Sequence, residues 1–180
     1  MAENNHNFHN FHYFHQVSEE FVKAIDDNRE YFKADTAVDL GAGGGSFSKI
    51  ISKYAKKLYS ADVSDEAIKT MKDNLLDFKN IEIIKVGDDR LPFDDSSVDL
   101  VFAANSFHDL PKGYEKEISR VLKEGGRFID LDWKKESTEF GPPLSIRLSE
   151  EDVKRKFEAY SFKEVKRIDL STHYMLILVA

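Results

Sequence analysis

One stretch limits the fold more than any other: Asp39-Leu40-Gly41-Ala42-Gly43-Gly44-Gly45-Ser46, set between the apolar run TAVDLG and a segment with helical spacing. A buried strand that turns through glycines directly into a helix is the opening unit of a βαβ fold. The rest of the chain repeats that alternation. Ser18 followed by Glu19 and Glu20 opens a helix whose Val17, Phe21, Val22, Ile25 and Phe32 lie along one side. After the glycine turn, Phe47, Ile50, Ile51 and Tyr54 mark a second helix, and 58–63 reads as the next strand. Ser64 caps a helix carrying Ile68, Met71 and Leu75. Strands at 81–87 and 98–105 flank LPFDDSS, a connector too short for a full helix. A helix over 112–124 stops at Gly125, and a fifth strand follows at 126–133. Ser149 and Asp152 form a capping box, and the runs 162–170 and 173–179 close as a hairpin.

Strand–helix alternation implies parallel strands joined by right-handed crossovers, with helices on both faces. The final connector is too short for a crossover, so the hairpin must bring in an antiparallel strand. The expected architecture is a three-layer α/β/α Rossmann-like sandwich with a mostly parallel sheet and a C-terminal antiparallel hairpin. With 180 residues there is room for one domain, taken as 17–180, preceded by a His- and Phe-rich segment at 1–16.

Composition excludes several classes. No apolar run reaches the roughly 18–20 residues needed to cross a bilayer. Zero cysteines exclude disulfides, thiolate metal sites and a cysteine nucleophile, which fits a reducing, cytoplasmic setting. The net charge is −7, and the densest basic group, Lys53, Lys56 and Lys57, falls where the second helix should end and so complements its dipole. An extended phosphate backbone is therefore not the expected partner.

Three carboxylates fall at successive strand C-termini, the edge at which open α/β sheets bind ligands. Asp39 ends the first strand, Asp62 the second, and Asp88 the third within Gly87-Asp88-Asp89. A carboxylate at Asp62 can accept from both hydroxyls of a ribose, and an acceptor at Asp88 can take the exocyclic amine of adenine.

These residues carry a resemblance. DLGAGGG matches the D/E-x-G-x-G-x-G pattern of class I S-adenosylmethionine-dependent methyltransferases. The spacing to Asp62, together with GDDRLPF, DLVFAANSFHDL and EISRVLKEGGRFIDLDW, is similar to the small type 11 or UbiE-like branch, over roughly 34–133. The resemblance implies a seven-stranded sheet in the order 3-2-1-4-5-7-6. It implies that Gly41, Ala42, Gly43 and Gly45 shape the loop under the methionine moiety, with Asp39 supporting its ammonium group. It further implies that Asp62 holds the ribose with Val63 against adenine, that Asp88 binds the adenine amine and the backbone N–H of Asp89 a ring nitrogen, and that Asn105 helps hold the methionine portion. The implied function is methyl transfer from S-adenosylmethionine to an unidentified acceptor, a small molecule in the first instance.

Two other readings share the loop. An NAD(P)-dependent oxidoreductase would need Gly or Ala at position 46, where Ser46 stands, and Asp39 would repel a diphosphate. No Tyr-x-x-x-Lys pair is present either. A non-catalytic S-adenosylmethionine-binding protein would have the same loop. On the acceptor side, His108 is the candidate catalytic residue, with Phe107, Trp133 and Asp132 as candidates to line the mouth. A helix cap or core packing accounts equally for His108, and a core-edge indole for Trp133. Tyr13 and Phe14 form either a lid over the cofactor or part of an unstructured tail. The His6, His9, His12, His15 series at three-residue steps drifts around a helix axis, and no metal is assigned to it.

Overall fold

The computed structural model describes residues 17–87 and 89–180, so Tyr13, Phe14 and Asp88 lie outside the described residues. Seven strands form one sheet in the order β3-β2-β1-β4-β5-β7-β6. They are β1 (Ala34–Leu40), β2 (Ala55–Asp62), β3 (Ile81–Lys85), β4 (Val98–Ala104), β5 (Leu122–Trp133), β6 (Lys163–Asp169) and β7 (His173–Val179). The first five pair in parallel. Strand β7 runs antiparallel between β5 and β6, as the short hairpin connector requires.

Among the described residues five α-helices cover the sheet: α1 (Glu19–Asp27), α2 (Ser46–Ile51), α3 (Asp65–Asn74), α4 (Tyr114–Val121) and α5 (Glu150–Phe157). Ser18, Ser64 and Ser149 each accept a backbone N–H from the first turn of their helix, and Asp152 completes the box by accepting from Ser149 N–H. Period-2 alternation sorts the strand residues onto two faces. Ala37, Leu58, Phe102, Ile129 and Met175 pack against Ile25 of α1 and Ile50 and Ile51 of α2. Val38, Val101, Phe128 and Leu176 pack against Ile118 of α4 and Phe157 of α5.

Among the boundaries that differ from the sequence expectation, two have a visible reason. The helix expected over 112–124 ends at Val121, and Gly125 does not stop it. The carbonyls of Arg120 and Val121 accept backbone N–H groups from Ser96 and Ser97, which draws the chain straight into the sheet. Leu122 pairs with Val98 and Arg127 with Leu100, so residues 123–126 bow out of the ladder. Likewise α2 stops at Ile51, and Lys56 and Lys57 belong to β2 rather than to a helix end. Their ammonium groups pair across strands, Lys56 with Asp35 and Lys57 with Glu82. The connector between β3 and β4 has no helix among its described residues, and Arg120 of α4 pins it by donating to the carbonyls of Leu91 and Phe93.

Candidate active site

The turn after β1 is built by two glycines used in different ways. Gly41 has a φ of +74°, and a Cβ on it would lie 2.5 Å from the Cβ of Ser106. Ser106 holds that approach by donating its hydroxyl to the carbonyl of Leu40 at 2.7 Å. Gly43, by contrast, faces open space, since a Cβ there would meet no atom within 4 Å. The amides of Gly41 and Ala42 both donate to the carbonyl of Ala61, which ties the turn to the end of β2. Gly45 sits at the N-terminus of α2, packed under Leu75, the residue that follows α3.

Asp62, at the end of β2, is fixed by two backbone donors. The amide of Gly43 donates to Oδ2 at 2.8 Å and that of Ser64 to Oδ1 at 2.9 Å. Each carboxylate oxygen therefore retains acceptor capacity toward the open side. Beside it, Val63, Val86, Gly87, Leu110 and Pro111 line a small hollow of about 50 Å³ that opens to solvent. Half of the Val63 side chain is exposed there. Asp89 lies at the rim next to Gly87.

Asp39 is buried on the opposite face from this hollow's apolar wall. Ser48 of α2 donates its hydroxyl to Asp39 Oδ2 at 2.6 Å, and Ser60 of β2 donates to Ser48 at 2.8 Å. Burial pushes the Asp39 carboxyl up to about 7; the Ser48 hydrogen bond opposes this and the Asp62 charge adds to it. Asn105 follows β4 with a left-handed φ of 54°. Its Oδ1 is buried without a hydrogen-bond partner among the described residues.

The acceptor-side candidates fall in different places. His108, in the 3-10 turn Phe107–Asp109, points its ring at β5, where Nδ1 meets both oxygens of Asp132 at 2.9 and 2.8 Å. Phe107, expected at the mouth, is instead a core residue. Its ring centroid lies 4.9 Å from that of Phe128 and 5.8 Å from that of Phe157, because the turn directs it into the α4–α5 layer. Trp133 is clamped between the ring of His173, at 4.1 Å between centroids, and the guanidinium of Arg147, at 5.1 Å. Burial pushes the His173 imidazole down to about 4, so this ring is neutral.

Three polar residues central to this side were absent from the sequence reading. Arg147 is almost fully buried and donates to the carbonyls of Lys134, Glu136, Phe140 and Pro142, which shapes the loop after β5 into an arch. Asp130 of β5 and Tyr174 of β7 meet at 2.8 Å in the core. The signal for Asp130 was present, since a carboxylate two residues before Asp132 in an apolar strand faces the same way.

A family model described as a methyltransferase domain matches residues 38–130, more than half of the chain. A solved S-adenosylmethionine-dependent methyltransferase from Aquifex aeolicus is 25% identical, with a TM-score of 0.80 and 88% of each chain covered. A solved putative type 11 methyltransferase from Sulfolobus solfataricus is 36% identical, with a TM-score of 0.70 over 80% of this chain and 83% of that one. The ubiquinone/menaquinone biosynthesis C-methyltransferase UbiE of Pseudomonas putida is 31% identical over 134 residues, covering 69% of this chain and 47% of that protein. The chain spans about half the length of the curated relatives it matches. With the match running from β1 through most of β5 and so taking in the glycine turn and Asp62, the chain belongs to the methyltransferase domain family, in the type 11 branch of the class I S-adenosylmethionine-dependent methyltransferases.

Proposed function

We propose that this chain binds S-adenosylmethionine along the C-terminal edge of β1, β2 and β4 and transfers its methyl group to a small-molecule acceptor. The observation that carries the reading is Asp62, whose carboxylate is locked by the amide of Gly43 while facing the hollow lined by Val63 and Leu110. The curated relatives named for ubiquinone and menaquinone biosynthesis support a small molecule as the acceptor class.

The residues present fit the cofactor. Gly43 leaves a space that a side chain would fill, Asp62 retains lone pairs for a diol, and Asn105 Oδ1 is a buried acceptor awaiting a donor. The methionine portion brings an ammonium group, which the acidic pair Asp39 and Asp62 favours. Val63 would lie against the adenine, with the backbone N–H of Asp89 directed at its edge. Gly41, Ala42 and Gly45 set the curvature of the loop.

When bound, the cofactor supplies a methyl carbon already activated on a sulfonium. The protein's own work is then to orient and to exclude water, and fixing the geometry contributes several kcal/mol of barrier reduction. Ser106 couples the two sides, since it holds the Gly41 turn and lies two residues before His108. Parallel calorimetric titrations with S-adenosylhomocysteine and NAD test the reading. Micromolar affinity for the first, about −8 kcal/mol, and no heat from the second are expected. Failure to bind S-adenosylhomocysteine would overturn it.

A further inference from the structure

The turn that follows β4 touches both halves of the cleft. At its start Ser106 donates to the carbonyl of Leu40 and lies against Gly41, and at its end Leu110 and Pro111 line the hollow beside Asp62. Tyr114, the first residue of α4, donates its hydroxyl to the carbonyl of Gly87 on the hollow's other rim at 3.1 Å. Between these contacts runs a single 3-10 turn, Phe107–Asp109, in which the amides of Asp109 and Leu110 donate to the carbonyls of Ser106 and Phe107 at 3.1 and 3.3 Å. So short a piece has little backbone bonding of its own to hold its place, and its side chains must anchor it.

Phe107 is the apolar anchor, and His108 is the ionic one. The His108 side chain is 1% exposed and has a carboxylate at each ring nitrogen. Nδ1 meets both oxygens of Asp132 at 2.9 and 2.8 Å. Nε2 lies 3.4 Å from Oδ2 of Asp109, within ion-pair reach although no hydrogen bond closes there. Asp132 is itself fixed, accepting the amide of Trp133 at 2.7 Å. A neutral imidazole carries a lone pair on one nitrogen and would turn it on a carboxylate; only the imidazolium presents N–H on both sides. Geometry alone therefore favours a buried cation that ties the turn to the end of β5.

We propose that His108, as an imidazolium clamped by Asp132, is a positioning residue that holds the turn from Ser106 to Pro111 in the place the cofactor needs. The proposal rests on the cofactor reading above. Without its proton the ring offers a lone pair to one of the two carboxylates, and a buried pair that loses one charge leaves the other uncompensated. The turn then relaxes, and with it both the Ser106 support under Gly41 and the Leu110 wall of the hollow. Linkage makes the effect reciprocal: the proton on His108 raises cofactor affinity, and bound cofactor raises the affinity of His108 for its proton.

Charged groups reach His108 from β5, from its own turn and from the loop after β5. Burial pushes the imidazolium down, yet Asp132 and Asp109 outweigh both burial and Arg147, so the ring titrates above 6.5. Asp130, two residues before Asp132 on the same face of β5, is driven far above the ordinary carboxylate range by burial and adds no charge. With the folded-state value raised, the clamp contributes its full stability below pH 6.5 and loses it as pH rises through that higher value. Asp39 acts on the cofactor in the opposite sense, because it ionises as pH rises toward 7.

Histidine-ring NMR and calorimetric titration with S-adenosylhomocysteine, both followed from pH 6 to pH 9, test the clamp. In the wild type His108 should titrate above 6.5, and affinity should fall roughly tenfold as pH passes that point, the equivalent of one pKa unit of coupling. Asp109→Asn removes a half-exposed carboxylate and leaves Asp132 in place, so it should carry the ring titration and the fall in affinity to lower pH together. His108→Gln should bind more weakly at pH 6.5 and lack that fall. The ligand's own ammonium titrates alike with every variant, so the difference between proteins is the readout. A wild-type ring that is neutral at pH 6, or a fall in affinity that persists in His108→Gln, overturns the proposal. Should His108→Gln fail to fold, Asp109→Asn decides: a ring titration that moves while the fall in affinity stays put also overturns it. A wild type that binds no S-adenosylhomocysteine at any pH would instead overturn the cofactor reading, so the two failures are separable.

Discussion

Acidifying the protein from pH 7 to pH 5.5 should weaken its hold on S-adenosylhomocysteine by roughly fifteenfold, about 1.6 kcal/mol. The reasoning begins at Asp39, whose carboxyl burial pushes up to about 7. Its neighbours in the chain Asp39–Ser48–Ser60 are hydroxyls, which cannot neutralise a buried charge. At pH 7 half of the molecules carry the charge, and at pH 5.5 only about 3% do. The ligand's amino-acid ammonium group stays charged over this interval and favours the ionised form of Asp39. Affinity should therefore track the ionised fraction. The unliganded fold behaves in the opposite sense. A carboxyl raised from 3.8 to about 7 gives stability that is full below 3.8 and lost as pH rises toward 7. Its full extent is on the order of 4 kcal/mol. Isothermal calorimetry on the wild type and on Asp39→Asn measures the binding slope, and thermal melts of the unliganded proteins measure the stability slope. The variant should bind weakly with little pH dependence, and its unliganded melting temperature at pH 8 should not fall. A wild-type affinity that is flat from pH 7 to 5.5, or a slope that survives in Asp39→Asn, would refute the argument.

Other outcomes follow from geometry. Asp62→Ala removes a carboxylate that accepts two backbone amides and should cost S-adenosylhomocysteine about 2–3 kcal/mol of affinity by calorimetry. Gly41→Ala places a Cβ 2.5 Å from Ser106 at a φ of +74°, so its unfolding free energy by chemical denaturation should drop by at least about 1–3 kcal/mol. Gly43→Ala meets no atom and should cost the fold only about 1 kcal/mol while impairing ligand binding, which paired melts and titrations would separate. Phe107→Ala should act as a core deletion of about 3–5 kcal/mol in chemical denaturation, with residual ligand affinity unchanged in the folded fraction. Arg147→Met should leave the sheet intact but expose residues 134–146 to limited proteolysis, because the arch loses its guanidinium donors.

The sheet was legible because its pattern is written locally. Apolar runs bounded by glycines and serine caps place each strand and helix within a few residues, and the short 170–172 connector dictates the antiparallel return of β7. The errors came where a distant partner decided the outcome. Nothing near Gly125 reveals that Ser96 and Ser97 take the last helical carbonyls, so the helix was read too long. The glycine turn and Asp62 stand at one edge because each terminates its strand. Phe107 could not be separated from His108 by pattern, since a single 3-10 turn sends one ring inward and the other toward Asp132. Buried polar residues were the least visible, because Arg147 looks like any loop arginine until its four carbonyl acceptors are seen.

The position of β7 has a consequence for assembly. It is the seventh strand to be synthesised, yet it pairs on both sides, with β5 along Arg127–Trp133 and with β6 along Lys163–Asp169. Until His173–Val179 emerges from the ribosome, β5 presents an unfilled hydrogen-bonding edge and β6 has no partner among these strands. Nascent chains halted before that point would expose an adhesive margin, and chaperone occupancy should fall once the seventh strand seats.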